Sequence, residues 1–338
     1  MIRLLMSSVA SIVLLASCGG SEPESGEDAV EAMAETTIDG PASEGSLLRL
    51  GLMDSEHVVP REVQVWLPPG YENSGERYPV LYMHDGQNLF EGGRSYTGDE
   101  WTVDETMTRL MAEGTIRPAI VVATDNTGET RWSEYAPQKV VERWPEDRRE
   151  EMKEAIREML DGMENVDPDA MYLQGDAYLR FMVDELKPRI DAEYRTLTGP
   201  EDTMVAGSSM GGLISLYALA EYPDVFGAAA CVSIHWPIGD PERDDAMTSI
   251  PAMQDYLAAS ALDPTRQRIW FDRGTDTLDA FYGPYAHQMA GWFAAQYPEA
   301  GENITFRTYT GTEHNEAAWA ARLADPLTFL LGTEGAEQ

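Results

Sequence analysis

The chemistry of this chain starts from Gly207-Ser208-Ser209-Met210-Gly211, a G-x-S-x-G run centred on Ser209. The apolar Met204-Val205-Ala206 precedes it and the helix-patterned Leu213-Ile214-Ser215-Leu216-Tyr217-Ala218-Leu219 follows. The stretch therefore reads as a strand, a very tight turn and a helix. Such a turn lifts one side chain above the sheet and needs residues without bulk on either side, which Gly207 and Gly211 supply. Ser209 becomes an exposed hydroxyl at a helix N-terminus. There the free N–H of Met210 and the helix dipole favour a developing negative charge.

A serine hydroxyl is a poor nucleophile until a base removes its proton. Of the five histidines, His314 lies in Thr310-Gly311-Thr312-Glu313-His314-Asn315-Glu316, just after the last expected strand and at the mouth of the final helix. His287 falls inside a helical pattern and His57 precedes the first long strand pair, so both read as structural or surface residues. His235 follows the strand that carries Cys231 and is expected to line a pocket with Trp236. The acid should come from Phe271-Asp272-Arg273-Gly274-Thr275-Asp276-Thr277-Leu278-Asp279. Asp272 lies within the strand or at its end, and Asp279 is placed to cap the next helix. Asp276, just beyond the turn at Gly274, is the best fit for a carboxylate reaching the distal nitrogen of His314. Asp276 is therefore expected, with Asp279 and Asp272 as alternatives. Acyl transfer also needs two N–H donors for the oxyanion. Met210 supplies one, and the loop His84-Asp85-Gly86-Gln87-Asn88 the other, with Gln87 expected ahead of Gly86. The side chains of His84 and Asp85 read as braces of that loop. This chemistry needs no cofactor and no metal.

The elements that must position these residues alternate. Leu48-Arg49-Leu50-Gly51-Leu52 and Val63-Gln64-Val65-Trp66-Leu67 have the alternation of half-exposed antiparallel strands. Continuous apolar runs at 79–83, 118–123, 203–206 and 226–232, with further strands at 268–271 and 304–309, read as strands buried on both faces. Helical patterns fall at 101–113, 176–194, 210–221, 279–297 and 315–331. The fold class is α/β, with a mostly parallel sheet covered by helices on both faces. Residues 144–164 interrupt this rhythm with a charge-dense amphipathic helix around Met152, Ile156, Met159 and Leu160, read as a cap inserted above the strand ends.

The chain has 338 residues with 24 basic against 59 acidic side chains, a formal charge of −35. Such a field disfavours nucleic acid and anionic lipid surfaces, and the acids are scattered, as a solubility adaptation would have them. Residues 1–17 carry one positive charge at Arg3 and the apolar run Ile12–Leu15, ending Leu15-Ala16-Ser17-Cys18. This resembles a bacterial lipoprotein signal in which Cys18 becomes the acylated first residue of the mature chain. Residues 18–45 read as an acidic flexible tether and 46–334 as the catalytic domain. Cys231 is left without a disulfide partner and is expected to pack as a small apolar residue. The expected location is a bacterial cell envelope, with the membrane reached only through the lipid anchor.

Taken together, Tyr82-Met83-His84-Asp85-Gly86-Gln87-Asn88-Leu89-Phe90, Glu134-Tyr135-Ala136-Pro137, Gly207-Ser208-Ser209-Met210-Gly211-Gly212, Gly274-Thr275-Asp276 and Glu313-His314-Asn315-Glu316 resemble a known family. It is the esterase family of the enterochelin-esterase and esterase-D type, which also holds feruloyl esterase domains and the antigen 85 mycolyltransferases. The resemblance runs from about Leu47 to Leu331. It implies an α/β-hydrolase fold with triad members in the chain order Ser, acid, His, and serine-dependent ester hydrolysis. Ser209 would be the nucleophile, His314 the base, an acid would come from residues 272–279, and Gln87 would be the second oxyanion donor. The substrate would be a small-molecule or carbohydrate-linked ester. Trp101, Arg131, Trp132, His235 and Trp236 lie on loops expected to open at the same sheet edge and are the expected pocket wall. No cluster of Arg or Lys suited to an anionic catechol–iron complex is evident, so siderophore specificity is not expected. Acyl transfer to an alcohol uses the same residues. A surface binding protein with a vestigial site is the reading from another class.

Overall fold

Alternation inside the apolar runs decides the architecture. Along β4 (Val80–His84), Val80 and Tyr82 enter one hydrophobic cluster while Leu81 and Met83 enter another. The same split separates Ile120 and Val122 from Val121 and Ala123 on β5 (Ile120–Thr124), and Val205 from Met204 and Ala206 on β6 (Thr203–Ser208). A strand turns successive side chains to opposite faces, so a run that is apolar at every position must be covered on both. The computed structural model describes residues 36–38, 45–160, 172–242 and 247–333.

Among the described residues the strands form one sheet of nine, in the order β1-β2-β3-β5-β4-β6-β7-β8-β9. The remaining members are β1 (Thr36–Ile38), β2 (Ser46–Met53), β3 (Arg61–Leu67), β7 (Ala228–Val232), β8 (Arg268–Arg273) and β9 (Ile304–Thr308). β1, β2 and β3 run antiparallel, and from β5 to β9 every pairing is parallel. The six parallel strands therefore end at one edge, where the loops that follow them meet.

One face is covered by the helical stretch 175–193 and by helices Met210–Glu221, Ser249–Ala259 and Gly283–Gln296, through side chains such as Phe181, Leu213, Leu257 and Phe293. Helices Val103–Ala112 and Ala324–Leu331 cover the other with Met107, Leu110, Leu327 and Leu330. Fully burying a side chain of this size contributes roughly 1.5–3 kcal/mol.

Eight strands and five helical regions correspond to those expected, and three features differ. β1 lies inside the segment read as a tether: Thr36-Thr37-Ile38 are all β-branched and pair with Leu47–Arg49 of β2. The helix Ser249–Ala259 is additional, its Pro251 falling in the first turn, where a missing N–H costs nothing. The charged insertion forms a helix that begins at Glu146, two residues later than expected, and is described as far as Leu160. Its Ile156 is buried and its Met152 packs on the first cluster. The Met152 methyl fills the space beside Gly239, 2.8 Å from where a Cβ would stand. The leader and Cys18 lie outside the described residues.

Candidate active site

β6 ends at Ser208, and Ser209 turns the chain into helix Met210–Glu221 with φ 56° and ψ −118°. A non-glycine residue in that region carries about 1–3 kcal/mol of strain. Four backbone bonds hold it there. The Ser209 N–H donates to Val232 O at 2.9 Å, and the Ser209 carbonyl accepts from Gly212 at 3.1 Å, from Leu213 at 3.3 Å and from His235 at 3.1 Å. A Cβ on Gly207 would stand 2.8 Å from the Gly211 backbone, whereas one on Gly211 would make ordinary contact at 3.4 Å with Asp85. The steric demand of the turn thus rests on Gly207. Met210 is the first helical residue, so its N–H has no acceptor within the helix.

The loop after β4 lies against this turn, since the space beside Gly211 is bounded by Asp85 and His84. Asp85 adopts a left-handed conformation (φ 59°, ψ 46°) and opens a one-turn 3-10 helix over Gly86–Asn88. Gly86 is required there, because a Cβ would come within 2.9 Å of the Thr124 carbonyl carbon. Gln87 lies in that turn, which the Asn88 N–H closes by donating to Asp85 O at 2.9 Å, and the Gln87 side-chain oxygen accepts from Asn126 N at 3.1 Å. Arg131 grips Asp85 with two bonds of 2.7 Å, and Asn126 adds a third of 2.7 Å. Arg131 was expected on the pocket wall, and its charge is instead spent on this clamp. His84 is buried, with Nδ1 2.7 Å from the Tyr178 hydroxyl and rings of Tyr135 and Tyr178 packed on it. Burial pushes its pKa down to about 3, so it is neutral near pH 7. The side chains of His84 and Asp85 are braces, as the sequence reading had them.

His314, after β9, meets its carboxylate across the sheet edge. Nδ1 lies 2.7 Å from Oδ1 of Asp279, which is fully buried, not from the expected Asp276. Backbone ties explain the difference. Thr275 N and Asp276 N both donate to Thr312 O at 3.1 Å, which leaves the Asp276 side chain exposed. The chain then folds into the 3-10 turn Thr277–Tyr282 and brings Asp279 round beneath the imidazole. Thr277 fixes the other partner, its hydroxyl accepting from His314 N at 2.9 Å. The second oxygen of Asp279 accepts from Ser233 Oγ at 2.6 Å and from Gly274 N. Burial raises the Asp279 carboxyl, but its bond to His314, the imidazolium charge and the Ser233 and Gly274 donors outweigh this and hold it below the usual carboxylate range. Asp272 is buried on Arg322 (3.0 Å), Trp270 Nε1 (2.8 Å) and Ser233 N (2.9 Å), away from the imidazole's partner list.

Tyr282, three residues after Asp279 and therefore near its face of the turn, joins the two halves. Its hydroxyl is hydrogen-bonded to Nδ1 of His235, whose backbone N–H holds the Ser209 carbonyl at 3.1 Å, and its ring stands edge-on to His314 at 5.6 Å. Trp319 packs against the other side of His314 at 5.0 Å and donates to Ser233 Oγ at 3.1 Å. Sequence reasoning missed Tyr282, Ser233, Trp319 and Arg322; the offsets of three and five residues from Asp279 and His314 were the only signal.

The remaining wall residues divide. His235 is at the site, within reach of Tyr282. Trp132 is half-buried and donates to Ile238 O at 2.8 Å, next to the His235 segment. Trp101 and Trp236 are core residues, 3% and 1% exposed, stacked on Trp319 and Phe271 respectively. Indoles of that size contribute more by burial than by standing in a wall.

A family model described as "Putative esterase" matches residues 58–330. The chain belongs to this esterase family. Among curated proteins, the family member is 24% identical over 180 residues to the uncharacterized protein YbbA of Bacillus subtilis, covering 53% of this chain and 59% of that one. It is 25% identical over 252 residues to an esterase of Mycobacterium tuberculosis, covering 64% of this chain and 45% of that one. The chain thus spans about half the length of the curated relatives it matches. Similar solved structures include a ferulic acid esterase (21% identity, TM-score 0.56, 84% of this chain and 97% of that one). The enterobactin esterase of Shigella flexneri is another (18%, TM-score 0.57, 88% and 59%). An IroE-like serine hydrolase of Shewanella oneidensis is a third (20%, TM-score 0.55, 82% and 78%). At these identities they show the fold, which is the α/β-hydrolase fold.

Proposed function

We propose that this protein is a serine carboxylic-ester hydrolase in which Ser209, His314 and Asp279 form the triad. One observation carries the reading: a buried carboxylate, held ionised, lies 2.7 Å from Nδ1 of a histidine whose ring abuts Tyr282, and Tyr282 is bonded to the His235 whose backbone N–H holds the strained Ser209. Asp279 keeps the proton of His314 on Nδ1 and leaves Nε2 as the base. Ser209 attacks the ester carbonyl as Nε2 takes its proton, and the N–H groups of Met210 and Gln87 receive the oxyanion. His314 returns the proton to the departing alcohol. Water then attacks the acyl-enzyme by the same route in reverse.

The substrate reading is a small-molecule or carbohydrate-linked ester. The chain's charge of −35 favours neutral or cationic esters over anionic ones. The helix Glu146–Leu160, touching the 235–239 segment through Met152, is the cap that shapes the acyl or alcohol pocket. The Cys18 sequence supports lipid anchoring in a bacterial envelope, which incorporation of labelled fatty acid lost in Cys18→Ser would test.

The deciding experiment is hydrolysis of short-chain nitrophenyl esters, with a panel of feruloyl, acetyl-sugar and alkyl esters to define the substrate. Activity above the uncatalysed rate that disappears in Ser209→Ala is the expected result. Undiminished activity in that variant removes the proposal.

A further inference from the structure

Two motif residues that this chemistry leaves unused, Asn88 and Glu316, meet in space. Asn88 directly follows Gln87 in the loop after β4, and Glu316 stands two residues beyond His314. Both are 7% exposed. Asn88 Nδ2 donates to Glu316 Oε1 at 3.4 Å, and the Thr97 hydroxyl donates to Oε2 at 2.9 Å. The other polar groups of Asn88 are engaged as well. Its N–H donates to Asp85 O at 2.9 Å, its carbonyl accepts from Trp101 N at 2.9 Å, and its Oδ1 accepts from Tyr96 N at 3.2 Å. Asn88 is thus fixed within its own loop, and Glu316 grips that loop from outside. A carboxylate so nearly buried costs free energy unless donors satisfy it. Arg131 is committed to Asp85, so among the described residues the donors of Glu316 are the uncharged Asn88 and Thr97. A second contact runs beside the first. Trp319 lies three residues on in helix Glu316–Ala320, hence on the same face. It packs on Trp101 at 5.5 Å and on His314 at 5.0 Å.

Resting on the serine-hydrolase reading above, we infer that Glu316 is a positioning residue that clasps the loop of Gln87 to the segment of His314 and so sets the oxyanion donor at a fixed distance from the base. The two groups serve one tetrahedral centre, yet they follow different strands, β4 and β9. Their own loops give no common reference. Glu316 supplies it, because its carboxylate reaches the residue next to Gln87 while its backbone continues from His314. Misplacing a reacting group by 1 Å costs about 100-fold in rate, so a contact of modest strength has a large effect here. The effect falls on the transition state, in which the oxyanion and the imidazolium coexist, and not on the bound ester, whose neutral carbonyl depends less on either group. The indole pair Trp101–Trp319 keeps helix and loop in contact without fixing their register, which the directional bonds of Glu316 do.

Kinetics on a nitrophenyl ester with the full chain and three variants test this. Glu316→Ala removes both bonds and should lower kcat about 10-fold to 100-fold with KM within about twofold. Glutamine has the same shape, accepts from Asn88 through its oxygen and donates to the Thr97 hydroxyl through its amide, so Glu316→Gln should recover most of that loss. Thr97→Val, at an exposed position, loses one of the two bonds and should lower kcat about twofold to fivefold. Inhibition by a trifluoromethyl ketone separates positioning from mere folding. Its carbonyl carbon bonds to Ser209 Oγ, the Ser209 proton passes to His314, and the negative charge stays on the former ketone oxygen. The inhibition constant should rise in parallel with the loss of kcat. Partial unfolding would lower kcat and leave that constant as it is, so an unchanged constant overturns the clasp. A native kcat in Glu316→Ala, or equal losses in the alanine and glutamine variants, overturns it too. Should Glu316→Ala fail to fold, a native kcat in Thr97→Val has the same force. Absence of Ser209-dependent hydrolysis in the native chain would instead overturn the serine-hydrolase reading itself, so the two failures are distinct.

Discussion

Two histidine–aspartate pairs lie at the same sheet edge, and they have opposite characters. His84 and Asp85 are neighbours in sequence, yet both oxygens of Asp85 are taken by Arg131 and Asn126, and His84 faces the Tyr178 hydroxyl. His314 and Asp279 are 35 residues apart and share a bond of 2.7 Å. The first pair is closed, its charge neutralised by a bidentate guanidinium and its imidazole sealed among tyrosines. The second is open on one side, because Asp279 is supported by the uncharged donors Ser233 and Gly274 and keeps one oxygen for the imidazole. Arg322 approaches that network but bonds to Ser233 and Asp272, not to Asp279. A carboxylate that has to orient a base must not be saturated by an arginine. Residue type cannot tell these pairs apart, whereas the partners of the carboxylate do.

The contrast can be broken at several points. The largest effect is expected from Ser209→Ala, which should lower kcat on a nitrophenyl ester by about 10⁴-fold or more while leaving the thermal midpoint near that of the native chain. Asp279→Asn comes next, with a loss on the order of 10³–10⁴-fold in kcat, because the amide no longer fixes the imidazole proton on Nδ1. Steady-state kinetics beside Asp276→Asn checks this; equal losses would mean that the open pair has been misassigned. On the closed side the cost should appear in stability. Arg61 and Glu134 form an ion pair with side chains 1% exposed, below Tyr178. Arg61→Met leaves Glu134 buried without its cation, and urea titration should report a loss of about 3–5 kcal/mol.

A smaller and graded effect is expected with pH. His84 and His235 are both buried and neutral, with pKa values lowered to about 3 and about 4. In the unfolded chain they titrate near pH 6.5. Between those limits the unfolded state binds more protons, so stability is lost as pH falls below about 6.5. The urea midpoint should drop between pH 7 and pH 5, and His84→Phe should flatten that slope. An identical slope in the variant would exclude His84 as a source. The smallest effect is that of Asp276→Asn, within about twofold of the native kcat, as befits an exposed carboxylate.

Much of the site was legible because it obeys local rules. The strand-turn-helix around Ser209 and the alternation of apolar and turn residues are properties of neighbouring residues, and they pointed to Ser209, His314 and the loop of Gln87 as candidates. The choice among Asp272, Asp276 and Asp279 was not legible. It depends on Thr312 capturing the backbone at 275–276, a contact with the loop after β9 more than thirty residues away. Trp101 and Trp236 misled for a related reason, since an indole near the site and an indole in the core look alike until burial is known. β1 escaped because three β-branched residues in an acidic stretch reveal a strand only when β2 is there to pair with them.

The sequence by itself determined the sheet, the elbow and the esterase family, because periodicity, glycine placement and short motifs are carried by residues close together in the chain. Only the tertiary structure decided which carboxylate bonds to His314, which histidine–aspartate pair is a brace, and that Tyr282 packs against both His314 and His235. Those outcomes are set by which donors reach a buried acceptor first. That competition is among residues brought together from six strand ends, and no local pattern records its result.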